Sequence, residues 1–281
     1  MPNYAYVDGK YCNKIYAKTF IDDRGYQFGD SVYEVIIYRD GIYLDLQGHI
    51  KRLRNSLKSL DFVFKMSNKS LLIIIKHLLR INKINFGSIY IQISRGIYER
   101  DHSYHNMKLK PVLVITTKKI KNDFEEIIEG INAVLIKDTR WAHPDIKTVQ
   151  LLPNVLAKTY AKKKLADEAI FFDENEFITE GSSSNVWILT HDNILITRSL
   201  DGSILPGITR KTIFECAKKN KISIRERKFK IKDLINSKEV FITSASSFVT
   251  PVKKIDNTII NNGNEKKFSN LLRKTYLNLY K

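Results

Sequence analysis

The chain has 281 residues, 43% hydrophobic and 27% charged, an ordinary balance for one large soluble domain or two average ones, with enough core to need no covalent staples. Its net charge is +17, from 47 Lys and Arg against 30 Asp and Glu, but the lysines are spread along the whole length beside abundant Ile and Asn, and no RNP, zinc-finger or aromatic-interleaved basic motif supports a nucleic-acid module. The two cysteines, Cys12 and Cys216, match neither a metal-ligand spacing nor a disulfide framework, so no metal site is expected and a reducing, cytoplasmic setting is.

In chain order, the opening MPNYAYVDGK lacks the apolar run of a secretory leader. Strands over 32–38 and 42–46 flank Arg39-Asp40-Gly41, which predicts a hairpin turning at Asp-Gly. Ile50, Leu53, Leu57 and Leu60 share one face of a helix over 49–60. Asn68-Lys69-Ser70 precede a second helix over 71–81, whose apolar stretch is cut by Lys76 and His77, far short of the roughly 20 residues of a membrane span. Strands over 88–94 and 111–116 bracket a polar loop, 95–110, of the length that usually marks function. The charged segment 118–130 places a domain boundary near 120, giving domains 1–120 and 121–281. Beyond it come a strand over 131–137, a helix over 154–166, and strands over 168–172, 186–189 and 194–197. A helix over 208–220 follows Pro206-Gly207, then a strand over 223–228, a short helix over 231–237, a strand over 240–243 and a helix from 266. No internal repeat is visible, and the alternation predicts a mixed α and β protein.

Five segments are richer in polar and glycine residues than their strand context needs: 24–34, 145–158, 179–185, 205–210 and 243–251. Each lies at a strand end or helix start, where open α/β architectures place ligands. Lys147 is a candidate amine nucleophile, which works only when deprotonated, so burial beside a cation or an apolar wall must lower its ordinary pKa of ~10.4. On local sequence alone it is one surface lysine among many. Glu180 is followed by Gly181-Ser182-Ser183-Ser184-Asn185, a carboxylate beside small hydrogen-bond donors; a flexible Ser-rich turn looks the same. Gly207-Ile208-Thr209-Arg210 opens a helix whose first N–H groups, with the Thr209 hydroxyl, suit an anion or make a plain capped start. Ser246 and Ser247 follow a strand and offer further phosphate contacts. Arg52 stands among Lys51 and Arg54, as a solvated charge would, with His49 on the same face. Arg100 and His102 form a candidate carboxylate clamp, or solvent-facing loop charges.

As a set these segments resemble the D-amino acid aminotransferases of the class IV (fold type IV) pyridoxal-phosphate aminotransferases. The resemblance starts at Arg24-Gly25-Tyr26-Gln27-Phe28-Gly29-Asp30-Ser31-Val32-Tyr33-Glu34-Val35 and continues through His49 to Leu53, Arg100-Asp101-His102, Asp145-Ile146-Lys147, Leu151 to Lys158, Glu180 to Asn185, Gly207 to Arg210 and Thr243 to Val252. Order and spacing hold over nearly the whole chain. The resemblance implies an α+β, two-domain fold: a small α/β N-terminal domain and a larger, β-barrel-like α/β domain that binds pyridoxal 5'-phosphate.

The resemblance also implies roles. Lys147 looks like the lysine that holds pyridoxal phosphate as an internal Schiff base, and Glu180 like the carboxylate facing the protonated pyridine nitrogen, which makes the ring a better electron sink. Arg52, the N–H groups of Ile208 and Thr209, and the Ser246 hydroxyl look like the phosphate cup. Leu205 looks like the apolar support beneath the ring, and Ser183 like a serine of the hydrogen-bond network near the cofactor. Tyr33, Arg100 and His102 correspond to the trap for the substrate α-carboxylate, the last two given by the partner subunit of a homodimer with shared active sites. Glu34 and His49 resemble residues that support Arg52. Three positions depart from the family: Ser31 stands where glycine is frequent, Ser246 where threonine is usual, and Phe248 where an acidic or polar residue stands, which is expected to alter the entrance. The implied reaction is ping-pong transamination between D-amino acids and 2-oxo acids, D-alanine plus 2-oxoglutarate giving pyruvate plus D-glutamate. The rivals on this fold are a branched-chain L-aminotransferase and aminodeoxychorismate lyase; a basic nucleic-acid-binding protein is the rival of another class.

Overall fold

The computed structural model describes residues 3–105, 107–120, 128–263 and 266–280. The chain divides into two compact units, Met1–Asp123 with Ile146–Gln150, and Phe124–Asp145 with Leu151–Lys281. Ile146–Gln150, expected inside the second domain, thus groups with the first.

The first unit holds strands β1 (Tyr4–Val7) and β2 (Lys10–Asn13), the one-turn helix α1 (Arg24–Phe28), β3 (Ser31–Arg39), β4 (Ile42–Tyr43), helices α2 (Leu46–Ser59) and α3 (Asn68–Ile81), β5 (Phe86–Ser94) and β6 (Val112–Lys119). Its six strands run antiparallel in the order β2-β1-β6-β5-β3-β4. The strands alternate as an antiparallel sheet with one covered face should. Val32 and Ile36 of β3, Ile89, Ile91 and Ile93 of β5, and Leu113 and Ile115 of β6 bury against Leu53 and Leu57 of α2 and Leu71, Ile75 and Leu78 of α3. The Asp40-Gly41 turn forms as the sequence predicts, with φ of 44° and 96° at the two residues, the left-handed pair that a tight hairpin requires. Helix α3 starts three residues earlier than expected because the Ser67 hydroxyl accepts from the Ser70 N–H at 3.0 Å and caps it.

The second unit holds β7 (Ile131–Lys137), α4 (Leu152–Lys163), β8 (Glu168–Phe172), β9 (Ile178–Gly181), β10 (Asn185–Leu189), β11 (Leu195–Thr197), α5 (Ile208–Lys219), β12 (Ile224–Glu226), α6 (Ile231–Ile235), β13 (Glu239–Ser244), β14 (Phe248–Ile255), β15 (Thr258–Ile259) and α7 (Lys267–Leu277). Its strand order is β12-β11-β10-β13-β14-β7-β8-β9, with β15 on β14. Residues 182–184 alone join β9, the last strand of that path, to β10, near its other end. So short a link brings the two ends together and curls the sheet. Strands β8, β9 and β10 are buried nearly throughout, which is why their sequences read as continuous apolar or mixed runs rather than alternations. Glu239 of β13 ties α7 to the sheet: its buried carboxylate accepts from the Phe268 and Ser269 N–H groups at 2.8 and 2.9 Å and caps the helix.

Three sequence expectations are corrected. The first strands of the chain are β1 and β2, ahead of the predicted hairpin. The polar segment 243–251 is mostly strand, carrying the start of β14. Phe248 does not face an entrance: it is fully buried, with its ring 5.5 Å from that of Tyr276 and 5.5 Å from the Arg273 guanidinium.

Candidate functional site

In the first unit, Glu34 falls on the covered face of β3, between Val32 and Ile36, and is completely buried. A carboxylate there must be paired. Helix α2 supplies the partners, because His49, Ile50, Arg52, Leu53, Ser56 and Leu57 form its buried stripe. Arg52 donates through Nε to Glu34 Oε1 at 2.7 Å and through Nη2 to Oε2 at 2.9 Å, a two-pronged pair. His49 Nδ1 lies 2.8 Å from Glu34 Oε2. Burial alone would raise the Glu34 carboxyl, but the charge and hydrogen bonds of Arg52, with those of His49, outweigh it and hold it at about 2. The plain reading of Arg52 as a solvated charge is thereby corrected.

Lys147 sits on a strand-like segment stitched to the start of β3. The Tyr33 N–H donates to the Lys147 carbonyl at 3.0 Å, the Val149 N–H to the Ser31 carbonyl at 3.1 Å, and Val32 and Thr148 form an isolated bridge. The Lys147 N–H reaches Ser56 Oγ on α2 at 3.3 Å. Its ammonium lies 4.2 Å from the centre of the Tyr33 ring, so the expected nucleophile and one expected trap residue come together. Arg100 and His102 are exposed on the loop after β5, and both lean on Phe28 of α1, at 4.7 and 5.3 Å.

In the second unit, Glu180 lies near the end of β9 and is buried. The Leu205 N–H donates to both its oxygens at 3.2 and 3.1 Å, Asn185 Nδ2 donates to Oε2 at 3.1 Å, and Arg140 Nη1 donates to Oε1. Burial is the largest influence and pushes Glu180 up to about 7, against the lowering pull of Arg140 and the Leu205 N–H. Arg140 is in turn held by Asp138 at 2.7 and 3.0 Å, and Asp138 accepts from the Thr179 hydroxyl at 2.7 Å. Sequence reasoning missed Asp138 and Arg140; the available signal was two opposite charges just past the end of β7.

Helix α5 begins at Gly207, whose N-cap position offers no side-chain acceptor. There is no room for one, since a Cβ on Gly207 would lie 2.0 Å from Asn185 Oδ1. The Thr209 hydroxyl is buried in the first turn with no hydrogen-bond partner among the described residues. An orphaned hydroxyl beside N–H groups that have no intrahelical acceptor suits a phosphate. A buried carboxylate poised near neutrality suits a ring N–H cation, which would draw it into its charged form. The residues present therefore fit pyridoxal phosphate. Leu205 and Ile208 flank this turn, both half-buried. Ser183 is exposed, while its neighbours Ser182 and Ser184 turn inward to donate to the buried Glu168, Ser184 at 3.0 Å. The 179–185 segment is thus no flexible turn. Ser246 is exposed, 3.5 Å from Ser244 Oγ. No cluster that could hold a metal ion occurs among the described residues, and none of their helices is long and apolar enough to cross a membrane.

The profile of the amino-transferase class IV family matches residues 31–255. A D-alanine aminotransferase of Staphylococcus haemolyticus is 37% identical over 258 residues, covering 92% of this chain and 91% of that protein. A D-alanine aminotransferase of Listeria innocua is 39% identical over 245 residues, 86% of this chain and 84% of that protein. The branched-chain amino acid aminotransferase of Escherichia coli superimposes with a TM-score of 0.89 at 22% identity, over 100% of this chain and 95% of that one. A hypothetical aminotransferase of Mycobacterium tuberculosis in its PLP-bound form gives 0.82 at 18% identity, over 97% of each chain. At those identities the solved structures establish the fold, and the α+β, fold type IV architecture expected from the sequence is the one observed. With a family profile that takes in both units, from the first residue of β3 to the last of β14, the chain belongs to the class IV aminotransferases.

Proposed function

We propose that this chain is a pyridoxal-phosphate-dependent transaminase of D-amino acids, passing the amino group of D-alanine to 2-oxoglutarate. The observation that carries the reading is the pair of relatives named D-alanine aminotransferase, 37% and 39% identical over 92% and 86% of the chain; the branched-chain enzyme of Escherichia coli shares the fold at 22% identity. When bound, the cofactor supplies an electron sink for the charge left at the substrate α-carbon. Lys147 would hold its aldehyde, Glu180 its ring nitrogen, Leu205 its face, and Arg52, Ile208, Thr209 and Ser246 its phosphate, with Ser183 nearby. Glu34 and His49 fix the Arg52 guanidinium so that it cannot follow the ligand. Tyr33, Arg100 and His102 fix the substrate carboxylate, which decides which enantiomer points its α-hydrogen at Lys147. The Lys147 amine, once free, takes that proton, and Tyr33 limits where its ammonium can rest.

We further propose a cytoplasmic homodimer in which Arg100 and His102 serve the neighbouring subunit's site, as their exposure in the single chain allows. The test is a panel of D- and L-amino acids with 2-oxoglutarate on the cofactor-loaded protein. D-alanine should yield pyruvate and D-glutamate, and L-leucine should be inert. Turnover of L-leucine without D-alanine would place the chain with the branched-chain enzymes, and pyruvate released from aminodeoxychorismate with the lyases.

A further inference from the structure

Neither the cofactor nor the nucleophile accounts for helix α1, yet its side chains reach the loop that carries Arg100 and His102. Arg24 is 3% exposed, although it opens a helix of only five residues. Its guanidinium donates through Nη1 to the carbonyl of Asp101 and through Nη2 to the carbonyl of His102 at 3.0 Å. Its Nε donates to Asp30 at 3.0 Å, and the same carboxylate oxygen accepts from Arg95 Nε at 2.7 Å. The Arg24 N–H reaches the carbonyl of Gly96 at 2.9 Å. Both ends of the segment from Arg95 to His102 are therefore tied to α1 through main-chain acceptors. The side chains are held as well. Phe28 lies 4.8 Å from the Arg24 guanidinium, 4.7 Å from that of Arg100, and 5.3 Å from the His102 ring. The helix packs closely against β3 and β5 at Gly25, where a Cβ would lie 2.3 Å from Ser31 Oγ and 2.8 Å from Ser94 Cβ.

We propose that Arg24 and Phe28 form a platform that positions Arg100 and His102 for the substrate carboxylate, Arg24 by fixing the backbone at Asp101 and His102 and Phe28 by fixing the Arg100 and His102 side chains. This rests on the reading of Arg100 and His102 as carboxylate-binding residues. Arg24 and Phe28 are positioning residues, and neither is assigned a contact with substrate. A lysine at 24 is a point charge on a flexible stem and cannot serve Asp30 and two carbonyls in one plane.

The test compares Arg24→Lys and Phe28→Leu with the wild-type enzyme loaded with pyridoxal phosphate. Both variants should speed amide hydrogen exchange over 97–105 and raise KM for D-alanine at least about tenfold, the scale of losing a charge-assisted hydrogen bond. Cofactor affinity should stay within about twofold, on the principle that removing a positioning contact spares groups it does not touch. Single-turnover reaction with ethylamine, which lacks the carboxylate, should be unaffected. Equal losses for D-alanine and ethylamine, or an unchanged KM, would overturn the proposal. If the wild-type protein binds no cofactor and turns over no amine, the functional reading fails, and the exchange measurement still decides the platform: unaltered exchange over 97–105 in both variants refutes it.

Discussion

At the residue scale, two buried glutamates of one chain are tuned in opposite directions. Glu34 has a bidentate arginine and a histidine, and its pKa sits at about 2. Glu180 has a guanidinium shared with Asp138, and burial wins, leaving it at about 7. An unpaired glutamate in an unfolded chain titrates near ~4.3. Glu180 in the cofactor-free protein therefore holds its proton where the unfolded chain has lost it. Its contribution to stability is full below pH ~4.3 and disappears as pH rises through about 7. Glu34 does the reverse, contributing above pH ~4.3 and losing that contribution as pH falls toward about 2. Denaturant titrations of cofactor-free wild type and Glu180→Gln should show the variant gaining on the wild type between about pH 5 and about pH 7.5, by on the order of 3 kcal/mol. A difference independent of pH would mean that Glu180 is already ionised without the cofactor. Glu34→Gln should instead lose most at neutral pH and least in acid, since the amide leaves Arg52 buried without its counter-charge.

At the element scale, helix α5 offers a cleaner separation of structure from ligand. The Thr209 hydroxyl is buried with no hydrogen-bond partner among the described residues, so Thr209→Val removes a desolvation penalty and leaves the methyl-sized volume filled. The cofactor-free variant should melt at or above the wild-type temperature. Its affinity for pyridoxal phosphate should fall by about tenfold to a hundredfold, the worth of a hydrogen bond to a charged group, while pyridoxal, which lacks the phosphate, binds as before. An equal loss for both ligands would remove Thr209 from the phosphate cup. Elements also differ in how plainly the sequence announces them. Strands β3 and β5 and helices α2 and α3 are legible because each buries one face and so shows its period. Helix α1 is one turn long and has no period to show. Strand β14 carries Pro251 and Lys253-Lys254, which argue against a central strand, yet it pairs with β13 and β7. Of the site, Lys147 and Glu180 stand out by resemblance to a family. Arg140 does not, because only its neighbour Asp138 is local, and Glu180 reaches it only when β7 and β9 fold into one sheet. Arg52 looks solvated for the same kind of reason: Glu34, which makes its burial tolerable, lies on a different element.

At the scale of the whole molecule, the proposed dimer would have Arg100 and His102 of one chain serve the site of the other. That arrangement is testable without knowing where one chain rests on the other. In the proposed dimer, Lys147→Ala removes the nucleophile from its own site, and Arg100→Ala removes the carboxylate anchor from its neighbour's. Each homodimer then lacks an essential group in both sites. Unfolding and refolding an equal mixture yields about half mixed dimers if association is random. In each mixed dimer, one site combines the intact Lys147 of one chain with the intact Arg100 of the other, and the second site lacks both. D-alanine turnover by the mixture should rise to about a quarter of wild type, well above either variant alone. If Arg100 served its own chain, every site in the mixed dimer would lack one group, and mixing would restore nothing. The outcome therefore separates a shared site from a self-contained one by activity alone, and it does so on the two residues that the family resemblance gives to the cofactor aldehyde and to the substrate carboxylate.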